Sequence, residues 1–188
     1  MRQPPASGYN SRMNAHAITL RLAEPRDAHA IALMSRDFIE EGLGWRYDPA
    51  RMLRAIRRPE SAALVACERG GAVQRETLAG FALMDFGEER AHLVLLAVRP
   101  SHRRIGIGRR LVGWLMESAR TAGIESVHLE LRAGNEAARR FYEAAGFAQT
   151  LLVPGYYRGR EAALRMVCLL RAPGPLPEAW HPPALGQK

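Results

Sequence analysis

No run of apolar residues in this 188-residue chain is long enough to cross a bilayer, and Met1 is not followed by the apolar stretch of a secretion signal. A cytoplasmic protein with no membrane partner is the expectation. Cysteine is scarce, with Cys67 and Cys168 the only two. Each lies in an apolar strand-like run, where a thiol acts as a small buried hydrophobe in a reducing compartment. The six histidines do not combine with cysteine or acidic residues at ligand spacing, so no metal site is expected. There is no nucleophile elbow and no Cys-His arrangement suited to covalent catalysis. A recognisable nucleic-acid module and a dense lysine tail are also missing, although the formal net charge is +8. Nucleic acid is therefore not expected as a partner; a small polyanion would answer the same charge.

What is present fits one domain. Residues 1–17, polar with proline and glycine, are expected to form a flexible extension, and residues 171–188 a Pro-rich tail whose large aromatic is Trp180. Between them, residues 18–170 alternate strand and helix patterns. Ile18 to Leu22 reads as a strand, Ala28 to Phe38 as a helix after the turn at Pro25 to Asp27, and Ala50 to Arg58 as a second helix opened by Pro49. Asp27, or the polar residues before it, is available to the first-turn amides. Ser61 to Glu68, Thr77 to Met84 and Ala91 to Val98 read as an antiparallel meander, with turns at Arg69 to Gly71, with Gln74 to Glu76 in the connection, and at Asp85 to Arg90. After Phe147, Gln149 to Val153 and Ala162 to Leu170 read as strands. Pro154-Gly155 is expected to turn the chain between them and project Tyr156 and Tyr157.

The most informative stretch runs from Leu93 to Phe147. An apolar strand ends at Arg99-Pro100, and Arg103-Arg104-Ile105-Gly106-Ile107-Gly108-Arg109-Arg110 comes after it. Next is a helix with Ile107, Leu111, Trp114, Leu115 and Ser118 on one face, ended by Gly123. Ser126 to Leu131 is a strand, Arg132 to Asn135 a polar turn, and a short helix runs on to Gly146. Glycines without side chains, a helix start with unpaired N–H groups and four surrounding arginines form a cradle for an anion. The spacing is neither that of a P-loop nor that of a dinucleotide fingerprint. A bare turn carrying a solvated basic face is the alternative.

These residues resemble a known family. Arg103-x-x-Gly106-x-Gly108 matches the glycine motif of the GNAT superfamily of acetyl-CoA-dependent N-acetyltransferases. Asn135 to Phe147 is similar to its asparagine-led helix ending in Tyr-Glu-x-x-Gly-Phe. The resemblance covers roughly Ile18 to Leu169. Leu129-Glu130-Leu131-Arg132-Ala133 and Gly155-Tyr156-Tyr157 look closest to bacterial enzymes that acetylate the N-terminal alanine of a ribosomal protein. The implied fold is α/β: a mixed, mostly antiparallel twisted sheet with splayed central parallel strands, flanked by helices. The implied activity is transfer of acetyl from acetyl-CoA to a primary amine, with coenzyme A as product. The acceptor is a protein N-terminus or a small molecule such as a polyamine, aminoglycoside or amino acid. A non-catalytic acyl-CoA-binding module on the same fold remains open, as does a homodimer.

By this resemblance, main-chain groups of Leu96, Ala97 and Val98 pair with the pantetheine, and Arg103, Arg104, Gly106, Ile107, Gly108 and Arg109 embrace the pyrophosphate. Asn135 either caps its helix or also bonds the pantetheine. Glu130 alternates away from Leu129 and Leu131, and a part-buried carboxylate needs a partner or a task; the resemblance makes it the base, acting directly or through water, and a salt bridge is the alternative. His128 shares its side of the strand. Arg165 is expected to face solvent. Tyr142 is implied as the donor that protonates the thiolate and touches the cofactor; otherwise it packs the core with Phe141 and Phe147. Phe38, Trp45, Tyr156 and Tyr157 are the candidate substrate contacts, along with Tyr47, or they pack the sheet. Asp37, Glu40 and Glu41 either attract a cationic amine or form a solvated helix edge. Two departures stand out: Val94 to Ala97 is wholly apolar where some members carry a polar residue, and the loop Pro154 to Arg160 is short.

Overall fold

The computed structural model describes residues 18–70 and 75–171. The N-terminal extension, Gly71, Gln74 and the Pro-rich tail from residue 172 on, Trp180 included, lie outside them. Strand β1, Ile18–Leu22, leads through a helical turn at Pro25–Asp27 into helix α1, Ala28–Phe38. Asp27 does not cap α1 with its side chain. Its carboxylate instead accepts the Glu24 N–H at 2.7 Å and two N–H bonds from Arg21 at 2.6 and 3.0 Å, fastening the turn to β1. Helix α2, Pro49–Arg57, starts on Asp48, whose Oδ1 accepts from the Arg51 N–H at 2.7 Å.

Strands β2 (Ser61–Gly70), β3 (Arg75–Phe86) and β4 (Arg90–Val98) form the expected meander. The first connection is shorter than the sequence implies, because Arg75 and Glu76 already pair with Gly70 and Arg69. Glu76 is held in the sheet by Arg21, 2.9 Å away. Helix α3 (Ile107–Thr121), strand β5 (Ser126–Arg132), helix α4 (Glu136–Ala144) and strands β6 (Ala148–Tyr157) and β7 (Glu161–Leu169) complete the described elements. Among the described residues seven strands lie in the order β1-β2-β3-β4-β5-β7-β6, and of these only β4 and β5 pair in parallel. This is the mixed, mostly antiparallel α/β sheet expected.

Each face of the sheet carries its own core. Helices α3 and α4 pack on one through Ile107, Leu111, Leu115 and Tyr142, and α1 and α2 on the other through Ile31, Met34 and Met52. Fully buried leucines such as Leu111 and Leu115 each contribute about 2 kcal/mol through loss of water contact. The buried face of α3 centres on Leu115 and takes in Val112, Met116 and Ala119. Trp114 therefore falls at its edge and stays 41% exposed, not in the core as the spacing suggested. Strand β6 also differs. Pro154 and Gly155 do not turn the chain but form a bulge, with the register jumping between Val153 and Tyr157. Proline has no N–H for the ladder, and β6 is an edge strand that tolerates this. The hairpin turn comes later, at Arg158 to Arg160, so Tyr156 and Tyr157 belong to the strand.

A second bulge matters more. Leu93 pairs with Met84 and Leu95 with Leu83, leaving Val94 as an extra residue in β4. Side chains alternate faces along a strand, so one inserted residue reverses the facing of every later position. Ala91 and Leu93 accordingly face α3, whereas Leu95 and Ala97 face α1 and α2.

Candidate active site

Strands β4 and β5 pair only at Arg90↔Ser126, Ala91↔Val127 and His92↔His128. Beyond that point each keeps its outer neighbour, β4 running along β3 as far as Val98 and β5 along β7 to Arg132. The two strands therefore splay, and the inner edge of β4 after His92 has no strand to satisfy its main-chain groups. A cavity of about 670 Å³ opens there, lined by Leu96, Ala97, Val98, Arg103, Arg104, Gly106, Ile107, Gly108, Arg109 and Asn135. Every one of these is a candidate on sequence grounds. His102, Ala137, Ala138 and Phe141 also line it, and sequence reasoning missed them. His102 is held by Glu68, Nε2 to Oε2 3.0 Å.

The start of α3 is open and uncapped, a geometry that can hold an anion. Gly106, at φ 88, is the residue before the helix, in a left-handed conformation that costs a residue with a Cβ about 1 kcal/mol. No side chain caps the helix, and its first internal bond is Arg110 N–H to Gly106 C=O at 3.1 Å. The N–H groups of Ile107, Gly108 and Arg109 are left for a ligand. Nothing lies within 4 Å of where a Gly106 Cβ would be, so the approach is open. A Cβ on Gly108 would touch the Phe141 ring at 3.4 Å, which shows how closely α3 meets α4. Arg104 also adopts a positive φ, 68°. Arg103 Nε donates to the Val98 carbonyl at 3.1 Å and pins the turn to the end of β4. Arg110, expected to add charge here, instead donates to the Ile18 carbonyl at 3.0 Å and does not line the cavity.

A second cavity of about 480 Å³ lies against the first, its walls including Ile39, Glu41, Leu43, Leu93 to Leu96, Glu130, Tyr142 and Tyr157. Phe38, Leu96, Asn135 and Ala138 line both, so the two spaces meet. Asn135 also caps α4, its Oδ1 accepting the Ala138 N–H at 3.0 Å; its side-chain N–H donors are what it can offer a ligand. Glu130 sits on the wall with His92 Nε2 2.8 Å from one oxygen and Arg165 Nε 2.9 Å from the other. Its carboxyl is held below the usual range, foremost by the His92 hydrogen bond and also by Arg165, against burial that works the other way. The salt-bridge alternative and the cavity position hold together. Arg165 does not simply face solvent, and nothing local in the sequence singles out His92. Both meet Glu130 across strands, and the signal that could have found them is the strand order.

Tyr142 is buried, edge-to-face with Phe141 at 5.1 Å and Phe147 at 5.6 Å. Burial pushes its phenol well above the ordinary value, so it stays protonated at neutral pH and is a donor there. It lines the second cavity and not the first. His128 bonds Ser126 Oγ at 2.9 Å; burial, then Arg90, His92 and Arg165, lower its pKa and keep it neutral at pH 7. Tyr157 lines the second cavity, its phenol pushed up to about 12, chiefly by burial. Tyr156 packs against it at 5.0 Å without lining the cavity.

Trp45 stands apart from these. Its Nε1 donates to the Ala32 carbonyl at 3.2 Å, and it lines a separate depression with Arg36, Asp37 and Gly44. Tyr47 is stacked by Arg51 at 4.6 Å and packs against the α1–α2 core. Glu40 turns inward to accept from Ser35 Oγ at 3.2 Å and from the N–H groups of Arg46 and Tyr47, so it staples the α1–α2 loop. Arg132 closes the cleft's rim: it pairs with Glu161 at 2.8 Å, donates to the Glu41 carbonyl and stacks on Tyr157.

A splayed α/β sheet with an anion cradle that opens onto a second, carboxylate-bearing cavity defines the class. The chain belongs to the acetyltransferase (GNAT) family, whose sequence model matches residues 14–147. The [ribosomal protein bS18]-alanine N-acetyltransferase of Escherichia coli K12 is 35% identical over 96 residues, which make up 50% of this chain. That match spans 65% of the relative, less than two thirds of its length. The crystal structure of the ribosomal-protein-S18-alanine N-acetyltransferase from Escherichia coli shares the fold, with a TM-score of 0.68 and 24% identity over 88% of this chain and 99% of that one. Arabidopsis thaliana NAA60, in complex with acetyl-CoA, shares it with a TM-score of 0.72 and 18% identity over 82% and 99%.

Proposed function

We propose that the protein is an acetyl-CoA-dependent N-acetyltransferase that passes acetyl directly to a primary amine, with a protein or peptide N-terminus as acceptor. The observation that carries this reading is the junction of the two cavities at Phe38, Leu96, Asn135 and Ala138. Amides of Ile107, Gly108 and Arg109 would hold the pyrophosphate, and the open edge of β4 at Leu96 and Val98 would pair with the pantetheine. Acetyl-CoA, so held, supplies an activated acyl group. Glu130 accepts the amine's proton, directly or through one water. A main-chain N–H near Leu96 stabilises charge on the acyl oxygen. Tyr142 donates its phenolic proton toward the departing sulfur. A covalent enzyme intermediate is not needed when both substrates are held together, and Cys67 and Cys168 are buried.

Two features support a peptide acceptor. One is the alanine N-acetyltransferase activity for which the Escherichia coli relative is named. The other is a cavity whose Glu41 and Glu130 suit a cationic amine while Ile39, Leu43 and Tyr157 suit an apolar first residue. The test is free-thiol release from acetyl-CoA across peptides with varied N-termini, lysine peptides with blocked N-termini, and small amines. Release with free N-terminal peptides, and a loss of about 10²-fold in Glu130→Gln with unchanged acetyl-CoA affinity, is expected. Turnover on small amines alone overturns the acceptor; no thiol release with any amine, despite saturable acetyl-CoA binding, leaves the non-catalytic module in its place.

A further inference from the structure

We infer that His92 is the proton outlet of the active site, a positioning residue that receives the proton collected by Glu130 and delivers it to bulk water. The inference rests on the reading of Glu130 as proton acceptor. The reaction itself requires an outlet. With a protonated amine the balance is R–NH3+ plus acetyl–S–CoA giving R–NH–acetyl, HS–CoA and one H+. The nitrogen–carbon bond forms, the carbon–sulfur bond breaks with its electron pair on sulfur, and nitrogen gives up two protons. One is matched by the proton placed on sulfur. The other has to leave a cavity on whose wall the Glu130 side chain is only 11% exposed.

The partners of Glu130 differ in what they can carry. Arg165 on β7 donates 2.9 Å from one oxygen, but a guanidinium has no acceptor and does not release its proton. Tyr157 on β6 faces the same carboxylate, yet its phenol holds its proton to about pH 12. His128 on β5 is engaged with Ser126 Oγ, and Arg90 on β4 is another fixed cation near it. His92, unlike Arg165, Tyr157 and Arg90, has a ring with two nitrogens on opposite edges, so that one can accept a proton while the other gives one up. Its Nε2 is 2.8 Å from Glu130 Oε2, and its side chain is 45% exposed while lying outside the cavity wall. It thus connects the inside to the outside. The strands make this contact possible because His92 is the last residue of β4 to pair with β5, and Glu130 sits two positions further along β5. A proton reaches Glu130 from the amine, crosses to Nε2, and leaves from the other ring nitrogen to water.

The experiment measures thiol release from acetyl-CoA with an alanine-led hexapeptide, in weak buffer, for His92→Ala, His92→Gln and Glu130→Gln. Loss of about 10²-fold in kcat for both His92 variants, with KM for acetyl-CoA unchanged, is expected. Imidazole added to His92→Ala restores turnover in proportion to its concentration, and leaves Glu130→Gln unrestored. Glutamine can hold Glu130 but cannot relay a proton, so wild-type kcat in His92→Gln overturns the outlet in favour of simple support; it also decides the matter should the alanine variant fail to fold. Loss without imidazole rescue in a variant that still binds acetyl-CoA overturns it too. If Glu130→Gln is inactive while both His92 variants run at the wild-type rate, the outlet is wrong and the Glu130 reading stands. Full turnover in Glu130→Gln removes the reading on which the outlet rests.

Discussion

Glu130 and Tyr142 sit in one cavity with opposite proton affinities, the carboxyl lowered and the phenol raised. At neutral pH this leaves Glu130 ionised, with a place to accept a proton, and Tyr142 protonated, with one to donate. Tyr142→Phe is expected to lower kcat by about 10²-fold with little change in acetyl-CoA affinity, read by steady-state kinetics and a binding titration. The phenylalanine keeps the ring contacts with Phe141 and Phe147, so a large loss of stability in that variant would point to a packing role instead. Glu130 also stabilises the fold. Because its folded pKa lies below its unfolded one, its contribution is present above the unfolded value and is lost as pH falls through the folded value. The Tm gap between wild type and Glu130→Gln should therefore be largest near neutrality and shrink on acidification below the carboxylate range; a gap independent of pH would contradict the pairing with His92 and Arg165. Alternation alone makes Glu130 visible in the sequence, since Leu129 and Leu131 bracket it. It cannot reveal His92 or Arg165, which lie 38 and 35 residues away and arrive only through strand pairing.

At the scale of elements, the start of α3 is the most legible feature, because glycine, arginine and helix signals coincide within a few residues. Two glycines there do different work. Gly106 carries a positive φ and opens onto the cradle, whereas a Cβ on Gly108 would only touch Phe141. Gly106→Ala should cost about 1 kcal/mol in urea unfolding and weaken coenzyme A binding, while Gly108→Ala should fold and bind nearly as wild type. Equal effects at both positions would contradict the cradle geometry. Helix α3 is legible in extent but not in rotation: Trp114 matches the helical period, yet packing centres the buried face on Leu115. The Pro154-Gly155 pair carries a turn signal in sequence, and the sheet absorbs it as a bulge because the partner strand β7 continues past it.

For the whole molecule, the meander and the helix pair can be read from local patterns and the mixed, splayed sheet only from the family resemblance; no segment's own pattern shows the opening between β4 and β5. It depends on each strand keeping a different outer partner and on the Val94 bulge, none of which is encoded in one segment. Net charge behaves similarly. Of the arginines clustered around the glycine motif, Arg103, Arg104 and Arg109 line the cavity, Arg103 while tied to Val98, and Arg110 is drawn off to Ile18. Sequence shows how many charges there are, and the fold decides which face the ligand.

The most direct test is a crystal structure with a bisubstrate analogue, coenzyme A joined through an acetyl bridge to a peptide N-terminus. The account predicts the pyrophosphate on the amides of Ile107 to Arg109, the sulfur within hydrogen-bond reach of the Tyr142 hydroxyl, and the peptide nitrogen beside Glu130 or one water from it. A pyrophosphate bound elsewhere, or a sulfur remote from both side chains, would contradict it.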